Sequence, residues 1–352
     1  MQLNLHGGDI YKYKDKNLID FSSNINPLGV PKSFKCKLKA QIDNFTKYPD
    51  IRYQELRATI GEYLDVPCND IVVGNGAVEI IYKSVSALDV DQIIIGTPTF
   101  SEYKRAADIA QKPCKEVEVF TEDKNVGFEN LYNHISHNSL VVLCNPNNPT
   151  GTLIDVETIS RLAQKLHDKN SWLLLDEAFI EFTAEYPFNS MTSRLNKFNN
   201  LIIVRAATKY FGIPGVRLGY GLINNKEMVK RIKEQMEPWS VNTAAAIAGT
   251  TIFKDQEYIK KTRKWINDER GFLFKQLKRI DNLTPIPTQA NFILIKSNVL
   301  DAWQLQERLL AKNILIRTPE GFTGLSNNDF RVAIKDRNSN KKLVAALKEI
   351  LM

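Results

Sequence analysis

Long apolar runs that alternate with helix-like segments constrain the fold of this chain more than any other feature. Three of them are "LVVLC" at 140–144, "WLLLD" at 172–176 and "LIIVRAA" at 201–207. Continuous apolar runs of this length are typical of strands buried on both faces, and their alternation with helices indicates a parallel sheet. We therefore predict an α/β protein with a mainly parallel seven-stranded sheet covered by helices.

The pattern changes at about residue 225, where short strand-like runs such as "NFILIK" and "FRVAIK" begin to alternate with helices. This part of the chain is predicted to form a smaller α+β domain. A chain of 352 residues is long enough for two domains. We predict a large domain at 31–225, a small domain at 226–352, and an N-terminal arm at 1–30 that joins the small domain or lies near the active site.

The composition excludes several classes of protein. Hydrophobic residues make up 43% of the chain, but none of the apolar runs approaches the ~18 residues that a membrane helix needs. The net charge of +7 is spread along the chain without a basic tail or a nucleic-acid motif. We therefore expect no membrane and no nucleic-acid partner. The basic balance could suit a phosphorylated small molecule, but on charge alone a solvated basic surface is the favoured explanation.

Cysteine usage indicates a cytoplasmic protein without a metal site. The four cysteines are far apart in the sequence and form no CxxC motif, and no signal pattern starts the chain. We expect them to be reduced thiols. No Cys/His group has the spacing of zinc ligands, so no metal is predicted.

Polar turns follow several of the predicted strands, at the sheet edge where parallel α/β proteins bind ligands. "GNGA" at 74–77 contains Gly76 and Ala77, whose small side chains let backbone N–H groups approach a phosphate. "NPNNPTG" at 145–151 offers the amide of Asn148. Taken alone, each motif is better explained as a plain structural turn.

Two ionisable groups end the next two strands. Asp176 ends an apolar run, where a carboxylate is costly unless it is paired or hydrogen-bonded. Lys209 follows another run, and a Gly/Pro turn separates it from Arg217. A lysine in an apolar site can lose its charge and become a nucleophilic amine. Taken alone, Asp176 could be a helix cap and Lys209 a surface cation.

Taken together, these groups match the requirements of pyridoxal 5′-phosphate. The lysine would hold the aldehyde, the carboxylate would keep the ring nitrogen protonated, and the glycine turn and the arginine would bind the phosphate.

The motifs "NPNNPTG", "DEAF" and "TKYFGIPGVRLGY" resemble those of fold-type I pyridoxal-phosphate enzymes of the class I/II aminotransferase group. Within that group the chain is most similar to threonine-phosphate decarboxylases of cobalamin biosynthesis. That finer resemblance is carried by "HGGDI", "DFSSNINPLG", "KYPDIRY", "PWSVN", "ILIRTP" and "FRVAIKD". Histidinol-phosphate aminotransferases share the core motifs.

The resemblance implies a role for each matching residue. Lys209 would bind the cofactor aldehyde and move protons during turnover. Asp176 would pair with the ring nitrogen, and Asn148 would hydrogen-bond the phenolic oxygen. Phe100 would stack on the ring. The cofactor phosphate would be bound by Gly76, Ala77, Thr208 and Arg217, together with Tyr48 or Tyr53 of the other subunit of a homodimer.

On the substrate side, the resemblance implies that Arg331 binds a carboxylate and that His6, Asn24 and Arg317 bind a substrate phosphate. Decarboxylation of L-threonine O-3-phosphate or L-serine O-phosphate is the favoured reaction. An aminotransferase acting on histidinol phosphate or another amino acid remains open, because the same residues serve both reactions. A non-catalytic ligand-sensing or nucleic-acid-binding protein is the third reading.

Overall fold

Strands and helices alternate along the chain. The computed structural model describes residues 6–13, 17–121 and 123–351. The β-strands of the described residues are Ile19–Asp20 (β1), Ile71–Asn75 (β2), Gln92–Thr97 (β3), Cys114–Glu118 (β4), Ser139–Cys144 (β5), Trp172–Asp176 (β6), Leu201–Ala206 (β7), Leu218–Ile223 (β8), Leu283–Pro285 (β9), Phe292–Ser297 (β10), Ile314–Leu315 (β11) and Asp329–Ala333 (β12).

The α-helices of the same residues vary from a single turn to a long helix of the C-terminal part. They are Lys32–Ala40 (α1), Gln54–Leu64 (α2), Ala77–Ala87 (α3), Glu102–Ile109 (α4), Lys124–His134 (α5), Val156–His167 (α6), Ala207–Tyr210 (α7), Lys226–Gln235 (α8), Thr243–Ile252 (α9), Gln256–Leu277 (α10), Ala302–Leu310 (α11) and Arg337–Leu351 (α12).

A seven-stranded sheet forms the centre of the molecule, in the order β2-β8-β7-β6-β5-β3-β4. The pairs from β7 to β4 are parallel, whereas β8 runs antiparallel to both of its neighbours. Alternate residues of the strands pack on opposite faces. Leu173 and Leu175 of β6 join one apolar cluster with α6, and Leu174 joins another with α3, α4 and α8. The predicted mainly parallel seven-stranded sheet, covered on both faces, is confirmed.

The C-terminal part has its own smaller sheet. Strands β9, β10 and β12 are antiparallel in the order β12-β10-β9. Near it, β1 pairs in parallel with β11, so that residues close to the N-terminus lie beside this small sheet. The predicted smaller α+β domain is confirmed, and the boundaries at 30/31 and 225/226 remain our proposal. In the described ranges, no helix is both long enough and apolar enough to cross a membrane.

Candidate active site

The ends of four neighbouring parallel strands bring the predicted cofactor residues to one edge of the central sheet. Phe100 follows β3, Asn148 follows β5, Asp176 ends β6, and Lys209 lies in α7 directly after β7. In the sheet β3, β5, β6 and β7 are adjacent, with Asp176 opposite Cys144 of β5 in register. Because parallel strands all end at the same edge, these side chains converge.

Lys209 occupies an environment that disfavours its charged form. Its side chain is half-buried. Burial, and secondly the cation of Arg217, lower the pKa of the Lys209 amine to about 8, although Asp176 acts in the opposite sense. An amine with this pKa has a much larger neutral fraction near neutral pH than an ordinary lysine, and the neutral amine is the form that a nucleophilic lysine requires.

Asp176 is a buried carboxylate with two hydrogen-bond donors. The Tyr103 hydroxyl donates to Oδ2 at 2.6 Å, and the Ala178 amide donates to Oδ1 at 2.9 Å. Burial raises the pKa of Asp176, and these two donors partly offset that rise. A carboxylate held in this way is suited to pair with a cationic ring nitrogen.

The turn between β2 and α3 approaches Arg217 closely. Gly76 precedes α3 with a positive φ of 83°, and a Cβ on this residue would lie 2.5 Å from Nη2 of Arg217. Ala77 begins the helix, so its backbone N–H is free of intrahelical bonding. Thr208 is buried beside Lys209 in α7. A helix N-terminus facing a guanidinium forms an anion-binding site.

Asn148 and Arg331 are in direct contact. A guanidinium nitrogen of Arg331, Nη1, donates to Oδ1 of Asn148, and Nη2 donates to the Ser22 carbonyl at 2.7 Å. Because the oxygen of the Asn148 amide accepts from Arg331, its nitrogen points elsewhere and can donate to a ligand oxygen.

Arg317 and Arg331 lie side by side. Their backbones exchange hydrogen bonds of 3.0 and 2.9 Å, and both guanidinium groups lie near the ring of Phe322, at 5.1 and 5.9 Å from its centroid. Both side chains are buried, and burial lowers the pKa of each. Nε of Arg331 has no hydrogen-bond partner among the described residues. Two neighbouring buried cations are stabilised by anionic ligands.

His6 lies next to the predicted ring-stacking residue. Its ring centroid is 5.8 Å from that of Phe100, and its Nε2 is 3.0 Å from Oε1 of Glu102. His6 and Arg317 both line a cavity of about 180 Å³, together with Lys12 and Glu320. The structure therefore brings two of the predicted phosphate-binding residues to one cavity.

Asn24 lies in a segment that packs against the lysine helix. Its carbonyl accepts from the Asn291 side chain at 3.0 Å, and its own Oδ1 is buried without a hydrogen-bond partner in the described ranges. Two residues further on, the Asn26 amide donates to the Lys209 carbonyl at 3.2 Å. The structure therefore places Asn24 near α7. Asn24 does not line the cavity that His6 and Arg317 share.

The two candidate tyrosines differ in their surroundings. The Tyr53 hydroxyl is engaged with the backbone of Val241, to which it donates at 3.0 Å and from which it accepts at 3.1 Å. Tyr48 is 78% exposed and stacks on Trp239, with ring centroids 4.5 Å apart. Of the two, Tyr48 is the one whose ring projects outward from this subunit.

Three residues of the site were missed by the sequence reasoning. Tyr103 supports Asp176, Glu102 contacts His6, and Ser22 holds Arg331. Glu102 and Tyr103 come shortly after Phe100 in "FSEY". A glutamate and a tyrosine close to a predicted ring-stacking residue were the signal that could have identified them. Ser22 acts through its backbone carbonyl, for which residue identity offers no signal.

These residues fit pyridoxal 5′-phosphate. The turn at Gly76 has a positive φ and brings the backbone close to the Arg217 guanidinium, which suits a phosphate, and the buried Asp176 suits a cationic ring nitrogen. The amine of Lys209, with its lowered pKa, suits an aldehyde. Together the fold and the site define an enzyme that depends on pyridoxal phosphate.

Comparison with known proteins agrees with this class. The chain belongs to the family of class I and class II aminotransferases, whose sequence model matches residues 16–347. Its cofactor is therefore pyridoxal 5′-phosphate, as the sequence predicted.

Individual relatives extend over nearly the whole chain. A provisionally named threonine-phosphate decarboxylase of Caldanaerobacter subterraneus is 41% identical, covering 97% of this chain and 93% of that protein. The threonine-phosphate decarboxylase of Salmonella typhimurium is 34% identical over 98% of this chain and 96% of its own length. The solved structure of the histidinol-phosphate aminotransferase from Clostridium acetobutylicum is 36% identical, with a TM-score of 0.88 and coverage of 95% and 99%.

Proposed function

We propose that the protein decarboxylates L-threonine O-3-phosphate to (R)-1-amino-2-propanol O-2-phosphate and CO₂, and that L-serine O-phosphate is converted to ethanolamine phosphate at the same site. The observation that carries the proposal is the pair of buried arginines, Arg317 and Arg331, lying side by side. A phosphorylated amino acid carries two anionic groups, one for each arginine. The relatives from Caldanaerobacter and Salmonella, by their names, support this substrate.

We assign the two anionic groups by the surroundings of the arginines. Arg331 contacts Asn148 and so belongs to the cofactor side, where the substrate carboxylate would lie. Arg317 lines a cavity with His6, which suits the substrate phosphate. Asn24, whose buried Oδ1 has no hydrogen-bond partner among the described residues, would accept a hydrogen bond from a donor of the substrate. An arginine binds a carboxylate or a phosphate through two parallel hydrogen bonds, which orients the substrate.

The residues at the sheet edge would divide the chemistry between them. When bound, pyridoxal phosphate supplies the electron-withdrawing ring that accepts the electron pair of a bond to the substrate α-carbon. Asp176 would hold a proton on the ring nitrogen. Phe100 would cover the ring, and Gly76, Ala77, Thr208 and Arg217 would bind its phosphate. Lys209 Nζ would deliver the proton that replaces the departing carboxylate on the α-carbon.

A second candidate is an aminotransferase, which the 36% identical structure from Clostridium acetobutylicum favours by its name. In that reaction Lys209 would remove a proton from the α-carbon rather than deliver one. Histidinol phosphate has no carboxylate, so it would leave one of the two buried arginines without an anionic partner.

One assay distinguishes the two reactions. The purified holoenzyme is incubated with L-threonine O-phosphate in the absence of a keto acid, and CO₂ is measured. We expect stoichiometric CO₂ and aminopropanol phosphate. Absence of CO₂, combined with amino transfer from glutamate to imidazole-acetol phosphate, would establish the aminotransferase instead. Absence of both reactions would refute both.

The assembly and the location are part of the same proposal. We propose a homodimer in which Tyr48, rather than Tyr53, reaches the cofactor phosphate of the partner subunit, because the Tyr53 hydroxyl is already engaged with Val241. We also propose a cytoplasmic location, which the free thiols of the cysteines support. Apart from the second subunit, the partner that we propose is the phosphorylated amino-acid substrate.

A further inference from the structure

Asn26 lies in the motif "DFSSNINPLG", yet neither the resemblance nor the proposed reaction assigns it a role. The residue is buried, with only 2% of its surface exposed. A buried amide is costly unless its hydrogen-bonding groups are satisfied, so its partners indicate what it does.

Asn26 makes hydrogen bonds to the end of the helix that carries Lys209. Its backbone N–H donates to the Lys209 carbonyl at 3.2 Å, and its side-chain Nδ2 donates to the Tyr210 carbonyl at 2.7 Å. A helix leaves the carbonyls of its last turn without helical partners, and α7 has only four residues. Asn26 therefore supplies two donors to the C-terminal end of α7.

The same amide connects α7 to α10. Nδ2 of Asn26 also donates to the hydroxyl oxygen of Thr262, which is fully buried in α10, at 2.8 Å. Oδ1 accepts from the Leu28 N–H at 3.0 Å, so both hydrogens and the oxygen of the amide are engaged. Asn26 thus joins the N-terminal segment, α7 and α10 at one point.

The chain that follows α7 packs closely against the Asn26 segment. Gly212 has a positive φ of 63°, and a Cβ on it would lie 2.8 Å from the Gly29 carbonyl oxygen and 3.2 Å from that of Asn26. The Tyr258 hydroxyl of α10 donates to the same Gly29 carbonyl at 2.8 Å. Strand β7 leads directly into the N-terminal end of α7, and the Asn26 segment holds the other end.

We propose that Asn26 is a positioning residue for Lys209: by holding the C-terminal end of α7, it keeps the lysine amine in place at the sheet edge. Asn26 acts only through α7. The inference rests on the role that the proposed function gives to Lys209. Besides burial, the charges of Arg217, Asp176 and Arg331 act on the Lys209 amine, so a displacement of α7 would change both its burial and this balance of charges.

The test measures how the capture of pyridoxal phosphate by the apoenzyme depends on pH, for the wild type and for Asn26→Ala. We expect the half-maximum of the variant to lie about one pH unit higher than that of the wild type, because an amine that gains access to water recovers part of its charged form. In the holoenzyme kcat should fall about 100-fold, which a displacement of about 1 Å can cause.

Asn200→Ala is the matched control. Asn200 is also buried, directly precedes β7, and donates through Nδ2 to the Ala163 and Ser171 carbonyls at 3.0 and 2.9 Å. Its substitution removes two similar hydrogen bonds at the opposite end of β7, and it should leave the half-maximum unchanged. Amide hydrogen exchange of residues 207–213 should become faster in Asn26→Ala but not in Asn200→Ala. An unchanged half-maximum in Asn26→Ala, or an equal shift in both variants, would overturn the proposal.

Two substitutions of Thr262 test the same connection from α10. Thr262→Val removes the oxygen that accepts from Asn26 and should raise the half-maximum, whereas Thr262→Ser keeps an acceptor and should leave it unchanged. If Asn26→Ala fails to fold, this pair decides, and equal half-maxima for the two Thr262 variants would overturn the proposal. Cofactor capture needs no substrate, so an enzyme that releases no CO₂ but shows this pattern refutes only the proposed reaction.

Discussion

At the scale of single residues, the site depends on side chains whose surroundings change their chemistry. Lys209 is one of many lysines in this basic chain, and its type alone does not distinguish it. Its half-buried position after β7 and the adjacent Arg217 distinguish it from the other lysines, because both destabilise the charged ammonium form. Asp176 shows the complementary case, in which two donors hold a buried carboxylate.

The lowered pKa of Lys209 leads to a prediction for the apoenzyme. The neutral amine attacks the aldehyde, and it becomes the major form above about pH 8 rather than above 10.5. The rate of cofactor capture, followed by absorbance, should therefore rise with pH and reach its half-maximum near 8. A half-maximum near 10.5 would contradict this environment.

Lys209→Ala should bind pyridoxal phosphate without the spectrum of the linked cofactor and should lose turnover.

At the scale of elements, the turn that enters α3 depends on a single missing side chain. Gly76 has a positive φ, and a Cβ there would meet the Arg217 guanidinium at 2.5 Å. Gly215 lies in the same phosphate-binding region, in the short 3-10 helix Pro214–Val216, and a Cβ there would meet nothing within 4 Å. The two glycines offer a matched pair.

Gly76→Ala should weaken binding of pyridoxal phosphate about tenfold or more, because the arginine must move and one charged hydrogen bond is lost. Gly215→Ala should bind the cofactor as the wild type does. Fluorescence titration of both apoenzymes measures the difference. Equal affinities for the two variants would show that the approach of Arg217 to Gly76 is not needed for the cofactor.

Strand direction is also decided at this scale. The apolar runs indicated β5, β6 and β7 correctly, but they carried no information on the reversal at β8. A parallel return needs a crossover connection of about a dozen residues or more. The connection from β7 to β8 contains α7 and a short 3-10 helix. Strand β8 therefore pairs with β7 in the antiparallel direction, and Arg217, which directly precedes β8, lies beside the end of β7.

At the scale of the whole molecule, an exposed apolar patch supports the proposed homodimer. Ile42, Phe45, Tyr48 and Ile51 follow one another within residues 42–51, and Trp239 stacks on Tyr48; each of the five is more than 40% exposed. Grouped large apolar side chains on a surface are typical of an interface with another chain. A two-fold dimer would carry each Tyr48 toward the site of the other subunit.

Mixing two defective variants tests that arrangement. Lys209→Ala and Tyr48→Ala subunits, unfolded and reassembled together, should recover about a quarter of wild-type activity at limiting cofactor, since half the dimers are mixed and each has one intact site. Each variant alone should be poorly active under those conditions. Absence of recovery in a mixture that sedimentation shows to be dimeric would refute a tyrosine shared across the interface.

Local sequence patterns determined much of this protein. The apolar runs defined the buried strands, because continuous hydrophobicity is stable only between two covering layers. Asn148, Asp176, Lys209 and Gly76 were predicted because strand ends converge at one sheet edge, which makes position along the chain sufficient to bring them together.

Only the tertiary structure decided which side chains meet across long stretches of chain. The contact of Arg331 with Asn148, the pairing of Arg317 with Arg331, and the contact of His6 with Glu102 join segments far apart in sequence. Such contacts depend on how the small sheet packs against the large one, and no periodicity or turn motif encodes that packing. The cofactor and the residues that bind it could therefore be predicted from local motifs. The relative positions of the proposed substrate-binding residues, in contrast, depend on the packing of elements that are distant in the sequence.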